Sequence, residues 1–390
     1  MIFPSIKGLL QNWLCNSPPD GMGWTGMRLK TLRLQNFRSY QNLMMTPPEG
    51  VTVIVGENGA GKTNLLEAVH LCCLGRSHRT SDDGDMIRHG EESAAVQLFV
   101  ERRDGTHDIG VRLFLHERRK KLLHINGKNA SRMGDLIGHA TCVIFSPEDL
   151  SVVRDGPAVR RRYVDMLLSQ LQRAYFYALQ TYTAALRQRN ALLRDIALGG
   201  SKAQLSVWDE QLARAAAPLV RLRAQTARAL DLAANRHYAY IRGREAEVFR
   251  VAYQSTLPED EPEQAMLSQL QARRDEELRR STTVVGPHRD DLRLTLSGRE
   301  LQAYGSQGQA RTAALALKLA AFDLLSESQG EPPLLLLDDV LSELDPLRRR
   351  RLIDRVKNAQ ALLTCTDRGD FIGAEPACVL EAKNGNLYNA

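Results

Sequence analysis

Residues 56–63 form the glycine-rich string Gly56-Glu57-Asn58-Gly59-Ala60-Gly61-Lys62-Thr63. The apolar run before it, residues 51–55, predicts a buried strand, and residues 64–69 after it predict the start of a helix. A strand, a glycine-bearing turn and a helix N-terminus form the phosphate cradle of a P-loop, because glycines let backbone N–H groups turn toward a phosphate. Lys62 is expected to reach the β- and γ-phosphates, and the Thr63 hydroxyl to contact Mg²⁺. The alternative is a glycine-rich surface loop, which the flanking strand and helix disfavour, so the sequence predicts a site for a nucleoside triphosphate.

Length and composition allow a large core and set few other limits. The chain has 390 residues, enough for two or three domains, and is 43% hydrophobic and 25% charged, as is ordinary for a globular protein. No run of about eighteen apolar residues is present, so the sequence predicts no membrane span. The six cysteines lack the spacing of a zinc site, which favours a reducing, cytoplasmic setting. The net charge of +6 is regional, since residues 154–250 hold 17 basic and 8 acidic residues, and this is a weak indication of a nucleic-acid partner.

The N-terminal third of the chain predicts β-structure. Residues 1–26 fit no element and lack the features of a signal peptide, so we expect a disordered leader. Imperfect alternation of apolar and polar residues from 27 to 43 predicts an antiparallel pair that opens the sheet carrying the P-loop strand. Three further strand patterns, at residues 95–101, 107–116 and 121–125, predict a small antiparallel meander joined by tight turns.

The middle of the chain predicts helices. Apolar residues recur at three- and four-residue steps in two runs, one ending near residue 193 and the other starting near residue 205, with Gly199-Gly200-Ser201 between them. Two runs of about 35 residues predict an antiparallel helical hairpin about 50 Å long, with Pro218 as a candidate kink. The predicted organisation is a leader at 1–26, a head formed by 27–150 with 281–390, and an inserted helical arm at 151–280.

A second half of the nucleotide site is predicted near the C-terminus. Residues 334–337 are four leucines, typical of a buried strand, and two carboxylates, Asp338 and Asp339, follow directly. Downstream of a P-loop this pattern is a Walker B strand, in which Asp338 is expected to hold the metal shell and Asp339 to orient or deprotonate the attacking water. A small-residue turn also precedes a helical pattern at 310–325. Taken alone, this turn is a second anion site or only an N-cap in which Ser306 satisfies a free N–H.

Two further motifs make a resemblance to a known family specific. Ser306-Gln307-Gly308-Gln309 is similar to the signature motif of ATP-binding-cassette (ABC) ATPases, and Ser342 to Asp345 is similar to their D-loop. Over nearly its whole length from Met27, the chain resembles the RecF family of bacterial DNA replication and repair ATPases, within the ABC- and SMC-like class. The strings that carry the resemblance are residues 34–40, 56–63, 145–150, 156–157 with 160–162, 286–292, 305–309 and 337–345.

The resemblance implies an α/β fold: an ABC-type P-loop ATPase head, with a mixed sheet, flanking helices and an antiparallel β meander, plus an inserted α-helical arm. It implies ATP and Mg²⁺ as cofactors, with Asn36 and Arg38 as further nucleotide contacts. The signature around Ser306 is expected to act in trans, closing on the ATP of a second copy of the chain. Residues 288–290 stay open between a family fingerprint at the nucleotide or DNA face and a turn with internal ion pairing.

The resemblance also implies the function. We expect an ATP-dependent DNA-binding protein of recombinational repair and replication-fork maintenance, in which ATP drives a homodimer clamp at gaps and single-strand/duplex junctions. RecR and RecO are the expected partners and promote the loading of RecA. Slow, DNA-stimulated ATP hydrolysis is the expected reaction, with Lys62, Asp338 and Asp339 as catalytic residues. The DNA-binding candidates are basic residues of head and arm: Arg118, Arg119, Lys120, Lys121, Arg160, Arg161 and Arg162.

Departures from the usual cassette pattern bear on the rate of hydrolysis. Asp339 stands where Glu is usual, and Glu148 stands in the loop where a Gln usually touches the metal. The position of the switch His offers Thr364, Thr366 and Asp367 instead. These residues favour slow hydrolysis, suited to a timed switch.

Four alternatives remain for a chain with these motifs. They are the ATP-binding head of another SMC-like complex, a nucleotide-binding scaffold without turnover, a transporter's nucleotide-binding subunit and a nucleotide kinase. A short helical hairpin without CxxC disfavours the first, because an SMC-type head needs a much longer coiled coil. A kinase has no reason for the signature and D-loop motifs. Measuring ATP hydrolysis with and without DNA separates the scaffold from the enzyme.

Overall fold

The computed structural model describes residues 26–117, 120–243, 247–367, 369 and 376–389. The predicted leader therefore lies outside the described residues apart from Gly26, and so do two DNA-binding candidates, Arg118 and Arg119. Within these ranges, no helix is long and apolar enough to cross a membrane.

A six-stranded, mostly parallel sheet carries the P-loop strand. In spatial order its strands are β15 (Asn386–Asn389), β14 (Cys378–Lys383), β3 (Val51–Val55), β13 (Ala361–Cys365), β12 (Leu334–Asp338) and β8 (Cys142–Phe145). Neighbours pair in parallel except β15, which is antiparallel to β14. The central strands are almost wholly apolar and buried, as parallel strands covered on both faces are. Because β3 and β12 run in the same direction, the P-loop and the Walker B carboxylates leave the sheet at the same edge.

The second sheet is antiparallel and also has six strands. In spatial order they are β2 (Tyr40–Met45), β1 (Arg28–Phe37), β4 (Ser93–Arg102), β5 (Gly105–Phe114), β6 (Lys121–Ile125) and β7 (Lys128–Ala130). The predicted pair β1–β2 forms, but the prediction that it opens the sheet of the P-loop strand is wrong. β1 pairs with β4, so the pair belongs to the meander. Alternation of apolar and polar residues identifies a strand, but it does not say which sheet the strand joins. The sheet is set here by the pairing of β1 with β4, whose partners lie 60 or more positions apart in the sequence.

Helix α1 (Lys62–Leu74) fills the space between these two sheets. Nearly all of its residues are buried. One apolar cluster joins α1 to β1, β4 and β5 on one side and to Ile54, Ile144 and Leu336 of the parallel sheet on the other. A helix that is covered on every side needs no polar face. This burial fixes the position of α1, and therefore also the position of its N-terminus at the P-loop.

The helical segment differs from its prediction in one respect. The remaining helices are α2 (Leu150–Arg154), α3 (Pro157–Leu171), α4 (Arg173–Ala197), α5 (Leu205–Arg242), α6 (Pro262–Ala272), α7 (Arg274–Arg280), α8 (Leu301–Tyr304), α9 (Gln307–Gln329) and α10 (Pro346–Val356). The first predicted run is two helices, because the extended backbone of Gln172, with φ −144° and ψ 108°, separates α3 from α4. The second run is one helix, α5, of 38 residues, which continues through Pro218 and packs against α4. At 1.5 Å per residue α5 is about 57 Å long.

A three-stranded sheet joins the predicted arm to the predicted head. β10 (Asp291–Leu296) pairs with β9 (Phe249–Gln254) on one side and with β11 (Arg299–Glu300) on the other. β9 falls in the predicted arm and β10 in the predicted head, and one buried apolar cluster includes residues of both α5 and α9. The division into head and arm stays a prediction, and its boundary at residue 280 cuts through continuous packing.

Residues 288–290 form internal hydrogen bonds at this junction. Tyr182 Oη lies 2.6 Å from His288 Nδ1, and the Tyr253 hydroxyl donates to the buried Asp290 carboxylate. Both tyrosines belong to the predicted arm, so the turn fastens arm to head. These contacts favour the alternative of a turn held by internal partners, although they are hydrogen bonds and not the ion pairs that this alternative predicted.

Candidate nucleotide-binding site

The P-loop connects β3 to α1, and its lysine bonds back to the loop. Lys62 is 7% exposed, and its Nζ donates to the carbonyl oxygens of Gly56 at 2.6 Å and Glu57 at 3.0 Å. A buried ammonium needs oxygen acceptors for its hydrogen bonds. Phosphate oxygens are acceptors, as are the two carbonyl oxygens to which Lys62 donates. The side chain is thus held across the loop, where it can exchange these partners for a bound phosphate.

The turn between β1 and β2 contacts the end of the P-loop and restricts its backbone. Gly61 has φ 101°, in the left-handed region, and a Cβ at this position would lie 2.5 Å from Ser39 Oγ. The Tyr40 hydroxyl donates to the Gly61 carbonyl at 3.2 Å, and Asn64 Nδ2 donates to Ser39 Oγ at 3.0 Å. Only glycine fits this conformation and this close approach. The meander therefore fixes the shape of the loop although it lies in the other sheet.

A buried ion pair anchors α1 just behind the loop. Glu67 is fully buried, and its two carboxylate oxygens accept from Arg38 Nε and Nη2, each at 2.8 Å. Ser77 Oγ also donates to Glu67, and Arg79 lies 3.5 Å away. Burial alone would raise the pKa of Glu67, but the hydrogen bonds from Arg38 and Ser77 and the charges of both arginines outweigh it and hold the pKa below its usual value. Glu67 is therefore ionised, and its carboxylate holds the side chains of Arg38 and Ser77 in place.

The predicted nucleotide contacts Asn36 and Arg38 bond elsewhere in the chain. Arg38 uses its guanidinium on Glu67 and on the Asp85 carbonyl, while Asn36 Nδ2 donates to Glu91 at 2.9 Å. Their contact with a nucleotide stays a prediction. What the structure gives Arg38 is a supporting position, because it fixes the helix whose N-terminus completes the P-loop.

The P-loop and the Walker B strand meet at Asp338. Its Oδ1 accepts from Thr63 Oγ1 at 2.9 Å and from Thr364 Oγ1 at 2.7 Å, and the residue is 7% exposed. Burial raises the pKa of Asp338, and the two hydroxyl hydrogen bonds oppose part of that rise. The negative charge of Glu148, the predicted metal-loop residue, also raises this pKa. A hydroxyl and a carboxylate directed at one point are hard oxygen ligands, the type that Mg²⁺ prefers, so the residues fit the ion.

Asp339 differs from its neighbour in backbone and in hydrogen bonding. Its φ is 50°, in the left-handed region, which Asp tolerates better than most residues. Its N–H donates to Thr364 at both the carbonyl, at 3.2 Å, and Oγ1, at 3.1 Å. Its carboxylate Oδ1 is buried and has no hydrogen-bond partner among the described residues. A buried acceptor left over in this way is suited to hold a water molecule.

The signature turn is an N-cap in its own chain. Ser306 Oγ accepts from Gln309 N at 3.2 Å, and Gln309 Oε1 accepts from Ser306 N at 2.8 Å, so the two residues form a capping box at the start of α9. Ser306 and Gln307 are exposed. Among the described residues, no hydrogen bond or ion pair joins residues 305–309 to residues 56–63. The N-cap role is therefore present, and a role in trans remains compatible with the exposure of the turn.

The D-loop is fastened to the Walker B end. Ser342 Oγ donates to the Asp339 carbonyl at 2.7 Å. Asp345 caps α10 by accepting from Arg348 N at 2.9 Å. Arg311 of α9 pairs with Glu343 at 3.4 Å, which joins the signature helix to the D-loop. The D-loop thus lies beside the helix that begins at the signature turn, the motif predicted to act on a second copy.

Comparison with known proteins identifies the family. The model of the RecF/RecN/SMC N terminal domain matches residues 28–385. A protein of Symbiobacterium thermophilum named DNA replication and repair protein RecF is 42% identical over 357 residues, which cover 90% of this chain and 94% of that protein. A protein of the same name from Rippkaea orientalis is 41% identical and covers 93% of this chain and 100% of its own length. The chain belongs to the RecF family.

Solved structures confirm the predicted fold class. Two structures of the recombination mediator protein RecF in the RecFOR pathway, one with ATP and one with ATPrS, give TM-scores of 0.88 and 0.87 at 32% identity. They cover 95% and 94% of this chain and 99% of their own chains. An Smc head bound to the C-winged helix domain of ScpA gives 0.56 at 17% identity and supports the fold alone. RecF-family membership and the ABC-type α/β fold with its helical insertion are therefore established.

The candidate DNA contacts of this RecF-family chain fall into two groups. Arg160 is 5% exposed, and its guanidinium donates to Asp291 at 2.7 and 2.9 Å and to the Asp155 carbonyl. Its partners lie inside the chain, so we remove Arg160 from the candidates. Lys121 is similarly held, by Asp83 at 2.8 Å and by the carbonyl at the end of α1. Lys120 and Arg162 are exposed, whereas Arg161 is half-buried and donates to the Asp290 carbonyl at 2.6 Å.

Two residues of the site were missed by sequence reasoning. Glu67 carried a usable signal, because it is an ionisable residue inside the apolar run Leu65 to Val69. Glu247 carried none, because it follows a helix in a charged stretch, and its contact with Gln309 joins residues 62 positions apart.

Proposed function

We propose that this chain is an ATP-dependent DNA-binding protein of replication and repair, in which ATP and Mg²⁺ hold two copies together as a clamp. The observation that carries the proposal is the cluster at Asp338, where Thr63 of the P-loop and Thr364 of β13 donate to one oxygen at 2.9 and 2.7 Å. A P-loop and a Walker B carboxylate joined in this way form a triphosphate site, and RecF relatives of 32% identity were solved with ATP.

Each residue of the site has a separate task in this proposal. Lys62 exchanges the carbonyls of Gly56 and Glu57 for phosphate oxygens, and the backbone N–H groups of the loop complete the cradle. Thr63 and Asp338 hold Mg²⁺, which when bound neutralises charge on the phosphates. Asp339 orients the attacking water through its free Oδ1. Hydrolysis is slow, because a side chain one methylene shorter than Glu acts as the base.

The dimer uses the exposed signature turn. Ser306 and Gln307 of each copy approach the γ-phosphate bound by the other, and a two-fold axis makes both contacts equivalent. The γ-phosphate then favours the closed state, and its loss on hydrolysis releases the partner. The D-loop lies next to this turn through the Arg311–Glu343 pair.

DNA binds through phosphate contacts of accessible basic residues. Lys120 and Arg162 are the exposed candidates and Arg161 is a half-buried one, and such contacts are salt-sensitive and weakly sequence-specific. The relatives whose names place RecF in the RecFOR pathway support RecO and RecR as partners. Gapped and junction DNA as the substrate and RecA loading as the outcome complete the proposal. The setting of this activity is the cytoplasm.

The experiment that tests the proposal is sedimentation of the purified chain with Mg²⁺, with and without ATP. The wild-type chain is expected to dimerise only with ATP. Ser306→Arg and Ser306→Asp are expected to bind ATP as monomers and fail to dimerise, and the second variant keeps an N-cap acceptor, so that loss of the cap is not the cause. Ser201→Arg, in the exposed turn before α5, is the matched control and dimerises normally.

Two outcomes would contradict the clamp. A wild-type chain that stays monomeric at saturating ATP, Mg²⁺ and junction DNA refutes dimerisation, and dimers of both Ser306 variants refute the role of the signature in trans. ATP hydrolysis measured in the same samples with and without DNA separates the enzyme from a scaffold without turnover.

A further inference from the structure

Glu247 links the signature turn to the last turns of the long helix α5. Its Oε1 accepts from Gln309 Nε2 at 2.7 Å. Its Oε2 accepts from the Tyr238 hydroxyl at 3.0 Å and pairs with Arg242 Nε at 3.1 Å. Burial would raise the pKa of Glu247, but the hydrogen bonds from Gln309 and Tyr238 and the pairing with Arg242 lower it overall, so the group is a carboxylate.

The Gln309 side chain is the middle of this link, since its two ends have opposite hydrogen-bonding character. The NH₂ group donates to Glu247, and the carbonyl Oε1 accepts from Ser306 N at 2.8 Å. An acceptor at position 247 therefore fixes the amide in the orientation that the capping box requires. Without that acceptor, Gln309 Nε2 loses its hydrogen bond to position 247, and the Ser306 turn loses a restraint.

Other contacts hold the same part of α5 against the helices that follow the signature turn and the D-loop. Arg351 of α10, the helix after the D-loop, donates to the Tyr240 carbonyl at 2.6 Å. His237 of α5 lies 2.7 Å from Asp323 of α9, the helix after the signature turn. The C-terminal turns of α5 therefore cannot shift without changing contacts to both helices. Among these contacts, the one through Glu247 reaches the signature residues themselves.

We propose that Glu247 is a positioning residue for the signature turn, through which the arm helix α5 is coupled to closure on a second copy. The inference rests on the proposed function, because it gives the signature turn a task only if that turn meets the partner's nucleotide. A force on the arm, such as DNA binding, changes the position of Tyr238 and Arg242. Through Glu247 it then changes the orientation of Gln309, and the two arrangements differ in their affinity for the partner.

The test measures two equilibria for each variant: ATP binding to the dilute monomer, and ATP-dependent dimerisation by sedimentation. Glu247→Ala is expected to weaken dimerisation about tenfold or more, the loss of a hydrogen bond to a charged group, and to leave monomer ATP affinity unchanged. Glu247→Gln keeps an acceptor oxygen for Gln309 and is expected to stay within about threefold of the wild type. Glu259→Ala, which removes a carboxylate from an exposed ion pair with Arg228 on the arm, is the control and has no effect.

A charge exchange makes the test independent of simple loss of packing. Gln309→Glu places two carboxylates in contact and is expected to weaken dimerisation, and adding Glu247→Gln restores a donor and an acceptor and recovers most of the loss. The inference is overturned if Glu247→Ala dimerises like the wild type, if ATP affinity and dimerisation fall together, or if the exchange recovers nothing. A wild-type chain that never dimerises refutes the proposed function, and the inference with it.

Discussion

Replacing Thr364 by Val tests whether one hydroxyl sets the properties of both Walker B carboxylates. Thr364 Oγ1 donates to Asp338 Oδ1 at 2.7 Å and accepts from Asp339 N at 3.1 Å, and the residue is almost fully buried. Val has nearly the same volume but no hydroxyl, so the substitution removes both hydrogen bonds and leaves the packing of β13 in place. Asp339 N keeps its second acceptor, the Thr364 carbonyl at 3.2 Å.

The size of the effect follows from the bond to Asp338. A hydrogen bond to a charged group contributes about 1.5–3 kcal/mol, and one pKa unit corresponds to about 1.4 kcal/mol. Burial already raises the pKa of Asp338, and the Thr364 hydroxyl opposes that rise. Its loss is therefore expected to raise the pKa of Asp338 further. Since Thr63 still donates to the same oxygen, a free-energy effect near the lower end of the range of about 1.5–3 kcal/mol is expected.

The assay is ATP hydrolysis as a function of pH at several Mg²⁺ concentrations. Mg²⁺ binds the carboxylate and competes with the proton, so activity rises with pH as Asp338 ionises. In Thr364→Val this rise is expected at higher pH than in the wild type, with weaker Mg²⁺ affinity below it, whereas Thr364→Ser retains the hydroxyl and follows the wild type. Unfolding by denaturant confirms that the variants are folded. A rise at the same pH in Thr364→Val and wild type refutes the reasoning.

Three other substitutions test the remaining parts of the site. Lys62→Ala removes the buried ammonium and is expected to abolish ATP binding in an equilibrium titration; tight binding means that the P-loop is misassigned. Asp339→Asn tolerates the left-handed backbone, keeps ATP bound, traps the dimer and lowers hydrolysis about 100-fold or more; normal turnover removes Asp339 from catalysis. Glu67→Gln breaks the buried pair with Arg38 and is expected to lower the free energy of unfolding by about 3–5 kcal/mol at neutral pH. Because the native pKa of Glu67 lies below its usual 4.5, its stabilisation is present above that pH and is lost as pH falls through the native pKa, so an equal deficit at neutral and acid pH contradicts this account.

The nucleotide site was predictable because its signals are local. The P-loop residues 56–63 are contiguous, and Asp338 and Asp339 follow a run of four leucines. A short motif that carries its own strand and helix signals predicts both the elements and their chemistry. The meeting of Thr63 with Asp338 then follows from the parallel direction of β3 and β12.

The errors have the opposite origin, in partners that are far away along the chain. Arg160 lies in a basic triplet that resembles a nucleic-acid patch, but its partner Asp291 lies 131 residues further on and buries it. Gln172 separates two helices, and there is no glycine or proline beside it from which the break could be predicted. Pro218 is not among these errors, because the predicted helical run does continue through it, with the packing of α5 against α4 and α9 outweighing the local cost of proline.

The two adjacent carboxylates of Walker B acquire different chemistry from one short chain of hydrogen bonds. It runs from Thr63 through Asp338 and Thr364 to the Asp339 N–H, and from the Asp339 carbonyl to Ser342 of the D-loop. Asp338 is the last residue of β12, so its oxygen faces the P-loop and is occupied by donors. The left-handed backbone of Asp339 turns the chain at the next residue and leaves its carboxylate Oδ1 without a donor in the described part of the chain. One acid is thus placed to bind a cation and the other to accept from water. Because the Asp339 carbonyl also accepts from Ser342 of the D-loop, a displacement of Asp339 changes the D-loop beside the signature helix.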